Sequence, residues 1–191
     1  ATYRDDEKIS FKKRSYNKRL KFVFIGAMVV GKRPELTVKI IEGLRKKGVD
    51  AELHMFGDGN LIEEIKSYIK EKNLDDYIFI YGNRDKSEVK SCLLDAHFTI
   101  LPSKSEGWPK AIAEGMFFGG IPISTKISCL PWILDYGKRG ILISENLDEA
   151  VKLIYDELNG GDEYLNNMAF KAKTWAHQYT LNRLEQEIRN I

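Results

Sequence analysis

The chain has 191 residues, of which 43% are hydrophobic and 30% charged, so it is long enough for one domain with a buried core and unlike a disordered or collagen-like sequence. Its formal net charge of +2 does not favour general nucleic-acid binding. No apolar run approaches the roughly 18–20 residues that a membrane-spanning helix needs, and no signal-peptide core is seen near the start. We therefore expect a cytoplasmic globular protein that binds no nucleic acid.

The cysteines and histidines do not predict a metal site. Cys92 and Cys129 lie far apart in the sequence, which is typical of reduced thiols in a reducing compartment. His54, His97 and His177 are scattered and have no ligand-like neighbours in the sequence. We expect no metal.

Residues 1–20 form a charged lead-in segment ahead of the first apolar run. Basic residues bunch together in its second half, at Lys12, Lys13, Arg14, Lys18 and Arg19, with Lys21 following. We expect them to be solvated, and the alternative is a patch that faces phosphate or an anionic membrane surface. The chain starts with Ala1 rather than Met, which processing or excision from a larger protein would both explain.

Residues 21–191 contain regular elements in alternation. Apolar runs rich in β-branched and aromatic residues predict six strands, at 21–26, 51–55, 77–81, 97–102, 121–124 and 140–143. Apolar residues at helical spacing predict helices over 34–47, 61–72, 87–95, 109–118 and 148–159, and one or two more over 162–190 with a break at Tyr179 and Thr180.

This alternation predicts the α/β class. Strands joined by helices form right-handed crossovers, and their near-continuous apolar character suits a parallel sheet covered on both faces. We predict a doubly wound, mainly parallel, six-stranded Rossmann-like sheet with C-terminal helices. The ligand crevice of such a sheet lies at the carboxyl ends of its strands.

The loops after the strands carry the candidate chemistry. The loop at 27–33 brings Lys32 and Arg33, which suit phosphate oxygens, and the loop at 103–108 brings Glu106. Glu114 follows on the helix that Pro109 opens. Carboxylates accept hydrogen bonds, and sugar and ribose hydroxyls offer them in vicinal pairs.

A cation, an open helix N-terminus and two carboxylates together favour a nucleotide-sugar over a bare phosphate. Gly107 would let the backbone approach such a ligand closely. The alternatives are that Glu106 is a solvated loop residue, that Glu114 is a surface residue, and that Trp108 only packs. Gly57-Asp58-Gly59 follows the second strand, so it indicates a turn and not a dinucleotide fingerprint.

Several segments of residues 21–157 carry a family resemblance. They are the first strand with Lys32, Met55-Phe-Gly-Asp-Gly59, Ile80-Tyr-Gly82, Leu101-Pro-Ser103, and the block from Ser105-Glu-Gly-Trp-Pro through Glu114-Gly-Met116 to Gly119-Gly-Ile-Pro122. The chain resembles the nucleotide-sugar-binding C-terminal domain of group 1 (family 4) retaining glycosyltransferases, which have the two-domain GT-B architecture.

The resemblance implies a role for each matching position. Lys32 would hold the donor diphosphate and Glu106 the hydroxyls of the transferred sugar, and these two are the expected catalytic residues. Glu114 would bind the ribose. The other expected binding positions are Gly26, Ala27, Arg33, Asn83, Arg84, Gly107, Trp108 and Pro109, with Asn83 and Arg84 near the base. The resemblance implies that no metal is needed, because protein cations and the helix dipole stabilise the leaving diphosphate. It also implies no cofactor, because the nucleotide diphosphate-sugar is a substrate.

The chain departs from the family pattern at two positions. The family usually has an arginine after the first strand's glycine and often a glutamate after the proline of the fifth loop, where this chain has Ala27 and Trp132. Arg33 is a candidate substitute for the missing arginine. An altered donor, or a non-catalytic scaffold that kept the fold, is therefore an alternative.

Members of the family also carry an N-terminal acceptor domain, which residues 1–20 are too short to supply. We expect this chain to be the donor half of a two-domain enzyme that moves a hexose to a glycan or a lipid-linked acceptor, inactive by itself. The full enzyme would contact the inner face of a membrane peripherally. The remaining alternative is a sugar-nucleotide epimerase or hydrolase of the same architecture.

Overall fold

A computed structural model describes residues 2–190 of the chain. Its strands are β1 (Leu20–Ile25), β2 (Ala51–Phe56), β3 (Ile78–Gly82), β4 (Phe98–Leu101), β5 (Ile121–Thr125) and β6 (Ile141–Ile143). Its helices are α1 (Pro34–Lys46), α2 (Ile62–Glu71), α3 (Lys86–Asp95), α4 (Lys110–Phe117), α5 (Leu130–Ile133), α6 (Leu147–Leu158), α7 (Gly161–Ala176) and α8 (Leu181–Arg189). The six predicted strands are confirmed, each with its ends shifted by at most a few residues.

All six strands run parallel in one sheet with the order β3-β2-β1-β4-β5-β6. The predicted α/β class and Rossmann-like sheet are therefore confirmed. The strand order reverses between β1 and β4, which makes the carboxyl ends of these two strands the expected site of a ligand crevice. Every residue of β4 and β5 is buried, as continuous apolar strands covered on both faces require.

Two glycines let the loop after β2 lie directly against the loop after β1. A Cβ atom at Gly57, whose φ is 129°, would stand 2.0 Å from the Gly26 carbonyl oxygen. One at Gly59 would stand 2.4 Å from the Met28 carbonyl oxygen, and the Met28 amide donates to the Asp58 carbonyl at 2.9 Å. The predicted turn thus packs directly against the loop after β1. Only glycine permits so close an approach of the two backbones.

The C-terminal helices follow the prediction, whereas α5 was missed. A break separates α7 from α8, and the Thr180 hydroxyl caps α8 by accepting from the Arg183 amide at 3.4 Å. Helix α5 has only four residues, too few for a periodic pattern. It leads into Asp135 and Tyr136, both in the left-handed backbone region at φ 47° and 52°.

The lead-in segment packs onto the domain. The Arg14 guanidinium donates to the carbonyls of Leu94, Phe118 and Gly119, and Asn166 on α7 bonds the Arg14 amide and carbonyl at 2.8 Å each. The expectation of a solvated basic cluster is wrong for Arg14, because these carbonyls replace water as its partners. Lys12, Lys13 and Lys18 are exposed as expected.

Candidate functional site

Lys32 and Glu106 meet at the carboxyl edge of the sheet. The Lys32 Nζ atom lies 2.6 Å from Glu106 Oε1, and the Ser103 hydroxyl donates to the same oxygen at 2.6 Å. The Glu106 side chain is 6% exposed and that of Lys32 31%. The two expected catalytic side chains therefore form one charge-assisted pair, shielded at the carboxylate and open to solvent at the ammonium.

Hydrogen bonds between neighbouring loops fix the position of this pair. The Lys104 amide donates to the Gly31 carbonyl at 2.8 Å, which joins the loop after β4 to the loop after β1. The Thr125 hydroxyl donates to the Ser103 carbonyl at 2.6 Å from the end of β5. The loop that holds Glu106 is therefore attached to its neighbours on both sides.

The N-terminus of α4 opens beside Glu106. Within residues 2–190, no side chain caps this helix, whose N-cap residue is Pro109. Gly107 and Trp108 precede it and are exposed, and a Cβ atom at Gly107 would meet open space. Among the described residues, no contact requires glycine at position 107, so the space and the uncapped amides are available to an anionic or hydroxylated ligand.

Glu114 lies on α4, eight residues after Glu106, and is partly buried. It lines a cavity of about 20 Å³ with Thr2, Tyr3, Trp108 and residues of α7. Burial raises the pKa of the Glu114 carboxyl above its ordinary value, while the Thr2 hydroxyl and the charges of Lys86 and Lys110 act in the opposite direction. The reading of Glu114 as an ordinary surface residue is therefore wrong.

Some of the other expected binding residues lie apart from the Lys32–Glu106 pair. Arg33 Nη2 contacts Glu145 Oε2 at 2.5 Å, and its Nη1 is buried without a hydrogen-bond partner in the described residues. Asn83 and Arg84 are exposed at the carboxyl end of β3, and Ala27 is exposed after the half-buried Gly26. The structure thus brings Lys32, Glu106, Gly107 and the α4 N-terminus together, with Arg33 turned toward the start of α6.

Sequence reasoning missed Ser103 and Glu145 as partners of site residues. Ser103 is fully buried, and its position three residues before Glu106 was a usable signal, because a hydroxyl at that spacing reaches back across a turn. Glu145 lies 112 residues from Arg33, and no local pattern points to that contact.

Residues 2–190 contain no group of three or more histidine, cysteine or carboxylate side chains placed to hold a metal ion. None of their helices combines the length and the apolar character required to cross a bilayer.

The family model for group 1 glycosyl transferases matches residues 5–175. The chain belongs to this family, which confirms the resemblance drawn from its motifs. It is 25% identical over 186 residues to an uncharacterised glycosyltransferase of Methanocaldococcus jannaschii, covering 97% of this chain and 50% of that protein. It is also 25% identical over 165 residues to the amylovoran biosynthesis glycosyltransferase AmsK of Erwinia amylovora, covering 83% and 40%. The chain spans half or less of the length of these relatives.

Solved structures share the fold. TarM of Staphylococcus aureus, in complex with fondaparinux, α-GlcNAc-glycerol and UDP, superposes with a TM-score of 0.77 at 24% identity, covering 94% of this chain and 37% of that one. HepE of Anabaena, in complex with UDP and glucose, gives a TM-score of 0.78 at 16% identity, covering 90% and 47%. At these identities the likeness establishes the fold alone.

Proposed function

We propose that this chain is the donor-binding domain of a retaining glycosyltransferase and takes a nucleoside diphosphate-sugar. The observation that carries the proposal is the Lys32–Glu106 pair, 2.6 Å apart, beside the uncapped N-terminus of α4 in a chain of the group 1 family. A cation, free helix amides and a shielded carboxylate provide complementary groups for diphosphate oxygens and sugar hydroxyls.

The pair suggests how donor binding proceeds. Without a ligand, Lys32 and Glu106 neutralise each other. A bound diphosphate would take the Lys32 ammonium, which is the more exposed of the two, and Glu106 would then accept hydrogen bonds from the sugar. Glu114 is placed further along α4, where its carboxylate would accept the ribose hydroxyls once the Thr2 contact opens.

The transfer step follows from this placement. The bond between the sugar's anomeric carbon and the diphosphate oxygen breaks, and its electron pair stays with the diphosphate, which Lys32 and the helix amides stabilise. The acceptor hydroxyl bonds to the anomeric carbon from the same face and passes its proton to the departing phosphate oxygen. The configuration of the sugar is thereby retained, and the protein supplies charge rather than a nucleophile.

The acceptor-binding region is proposed to lie in the part of the longer protein that this chain does not include. Because the chain spans half or less of its relatives, we propose that an N-terminal domain binds a glycan or lipid-linked acceptor and that this chain alone does not transfer sugar. We place the full enzyme in the cytoplasm, at the inner face of a membrane. The UDP complexes of the structural neighbours make UDP the first nucleotide to test.

A second candidate rests on Ala27 and Trp132. Both are exposed at the crevice edge where the family usually carries charged side chains, and Arg33 faces Glu145 rather than replacing the missing arginine. These features favour a scaffold that kept the fold and lost catalytic activity. Such a scaffold would not bind nucleotides.

Calorimetric titration of the chain with UDP, GDP and their hexose derivatives separates the two candidates. We expect one nucleotide series to bind, and both Lys32→Ala and Glu106→Gln to weaken binding of the sugar-bearing form. Lys39→Ala is the matched control, because Lys39 is an exposed cation on α1 outside the pair. Absence of heat with every nucleotide and nucleotide-sugar would refute the donor proposal and favour the scaffold.

A further inference from the structure

An exposed aromatic cluster lies beside the candidate site. It consists of Trp108 from the loop after β4, Trp132 from α5, Trp175 from α7 and Tyr179 just after α7. The rings of Trp108, Trp132 and Tyr179 surround that of Trp175, with centroids 6.3, 5.9 and 4.5 Å from it. Trp175 is 7% exposed, whereas the three surrounding rings are 38%, 52% and 39% exposed.

The cluster is held in place by its neighbours. The Arg139 guanidinium stacks over the Trp175 ring at 5.2 Å from the centroid and donates to the Trp132 carbonyl at 3.0 Å. Trp175 is thus a buried ring against which three partly exposed aromatic rings pack. Exposed apolar surface that is contiguous over several rings, unlike a single exposed ring, is typical of an interaction site.

A cavity of about 330 Å³ adjoins the cluster. Trp108 and Tyr179 form its aromatic wall, and Gln178, Arg183 and Glu187 supply an amide, a cation and a carboxylate. Its volume lies at the lower end of the roughly 300–1,000 Å³ of ligand pockets, which suits one or two sugar rings. The two opposite charges make the cavity neutral overall.

This combination matches the surface of a neutral pyranose. The C–H faces of such a sugar are apolar and pack on aromatic rings, while its hydroxyls need both donors and acceptors around the edge. Among the described residues that line this cavity, one side chain, Leu184, is aliphatic, and the remaining non-aromatic ones carry hydrogen-bonding groups.

The cluster is continuous with the candidate site. Trp108 is two residues from Glu106, and the Cys129 thiol donates to the Gly107 carbonyl at 3.4 Å, which joins the residue before α5 to the loop that holds Glu106. A glycan that packs on Trp108 would therefore reach the loop that holds Glu106.

We propose that the aromatic cluster and its adjoining cavity bind a neutral oligosaccharide, the acceptor glycan or its growing end. The inference rests on the proposed function for the direction of transfer, but the binding itself does not require a donor. It assigns part of acceptor recognition to this chain rather than to the N-terminal domain alone.

The test uses the purified chain and short neutral oligosaccharides of glucose, galactose and N-acetylglucosamine, followed by tryptophan fluorescence and calorimetry. We expect at least one series to bind and to shift the tryptophan emission. Trp132→Ala and Tyr179→Ala should each weaken binding about tenfold, because one aromatic contact contributes up to about 1.5 kcal/mol, and Trp132→Phe should retain most of the affinity. Phe170→Ala is the control, since Phe170 is a 51% exposed ring outside the cluster.

Two outcomes overturn the inference: no oligosaccharide binds, or Trp132→Ala and Phe170→Ala behave alike. The first outcome would assign the cluster to contact with another part of the longer protein. A parallel UDP titration separates the two proposals. Nucleotide binding without oligosaccharide binding would refute the glycan proposal for the aromatic cluster and support the donor site. Oligosaccharide binding without nucleotide binding would support the glycan proposal and refute the donor site.

Discussion

Lys32 and Glu106 are 74 residues apart in the sequence, yet Nζ and Oε1 lie within 2.6 Å of each other. The parallel sheet produces this contact, because β1 and β4 are neighbours and end at the same edge. Neither residue belongs to the apolar core. Their proximity is a consequence of strand order. The uncapped N-terminus of α4 beside them adds amide donors to the ammonium and the carboxylate.

The first prediction concerns the free energy of this pair. Lys32→Met should destabilise the chain by about 1–2 kcal/mol, because it leaves a shielded carboxylate without its cation. We expect a double-mutant cycle with Glu106→Gln to show favourable coupling in urea denaturation. The cycle for Lys66 and Glu63 is the control, and since that pair is exposed, its coupling should be close to zero. Equal coupling in both cycles would contradict the prediction.

The second prediction concerns Glu114 and pH. Because burial raises its folded-state pKa above the unfolded value, the folded state binds more protons, and stability falls as pH rises through the window between the two pKa values. Glu114→Gln should therefore raise the melting temperature at pH 7 and have little effect below the unfolded pKa. The same variant should weaken nucleotide binding.

The measurement is thermal unfolding over a pH series, with Glu149→Gln as the control for a carboxylate that is exposed on α6. A melting temperature that Glu114→Gln lowers at neutral pH would show that the carboxylate stabilises the fold, and would contradict the assignment of Glu114 to a ligand.

The third prediction concerns the contact between α4 and β4. A Cβ atom at Gly115 would lie 1.9 Å from Thr99 Oγ1, so Gly115→Ala should destabilise the chain by about 1–3 kcal/mol and displace the helix. Thr99→Ala in the same chain should recover part of the loss. Gly31→Ala, whose Cβ would meet open space, should change stability by less than about 0.5 kcal/mol. Failure of Thr99→Ala to compensate would place the strain elsewhere.

The fourth prediction separates two contributions of Arg33 to stability, namely its backbone conformation and the charge of its side chain. This residue has φ 52° and ψ 51°, a left-handed conformation that glycine adopts without penalty. Arg33→Gly and Arg33→Ala both remove the contact with Glu145. The glycine variant should nevertheless be more stable than the alanine variant by about 1 kcal/mol in urea denaturation. Equal stabilities would show that the loop relaxes around alanine.

The fold could be predicted from the sequence because its strands are buried on both faces. A run such as Phe22-Val23-Phe24, with no exposed surface, has few alternatives to a central strand, and each run is followed by a glycine or a polar loop. Helix α1 is amphipathic because one of its faces packs on the sheet, and the buried face of α2 lies against α1. Local pattern and global packing agree in these elements, so the pattern is sufficient.

The site could be predicted only in part. The sequence pattern predicted that Glu106 lies in the loop after β4, that Glu114 lies on the helix that follows, and that Lys32 lies in the loop after β1, as the structure has them. The partners of Arg33 and Arg14 could not be predicted, because their contacts join segments that are distant in sequence. The aromatic cluster is assembled from three separate elements, and in the sequence Trp132 stood out only as a departure from the family. The roles of these residues toward a ligand stay predictions.

The Arg14 contacts bear on how shortened versions of the chain should be designed. A version that begins at β1 would remove the guanidinium that bonds the carbonyls of Leu94, Phe118 and Gly119 and would uncover the face of α7 around Asn166. Domain boundaries placed by the first strand would therefore cut into the folded unit. The lead-in segment should be kept in expression vectors, and affinity tags should be attached outside it.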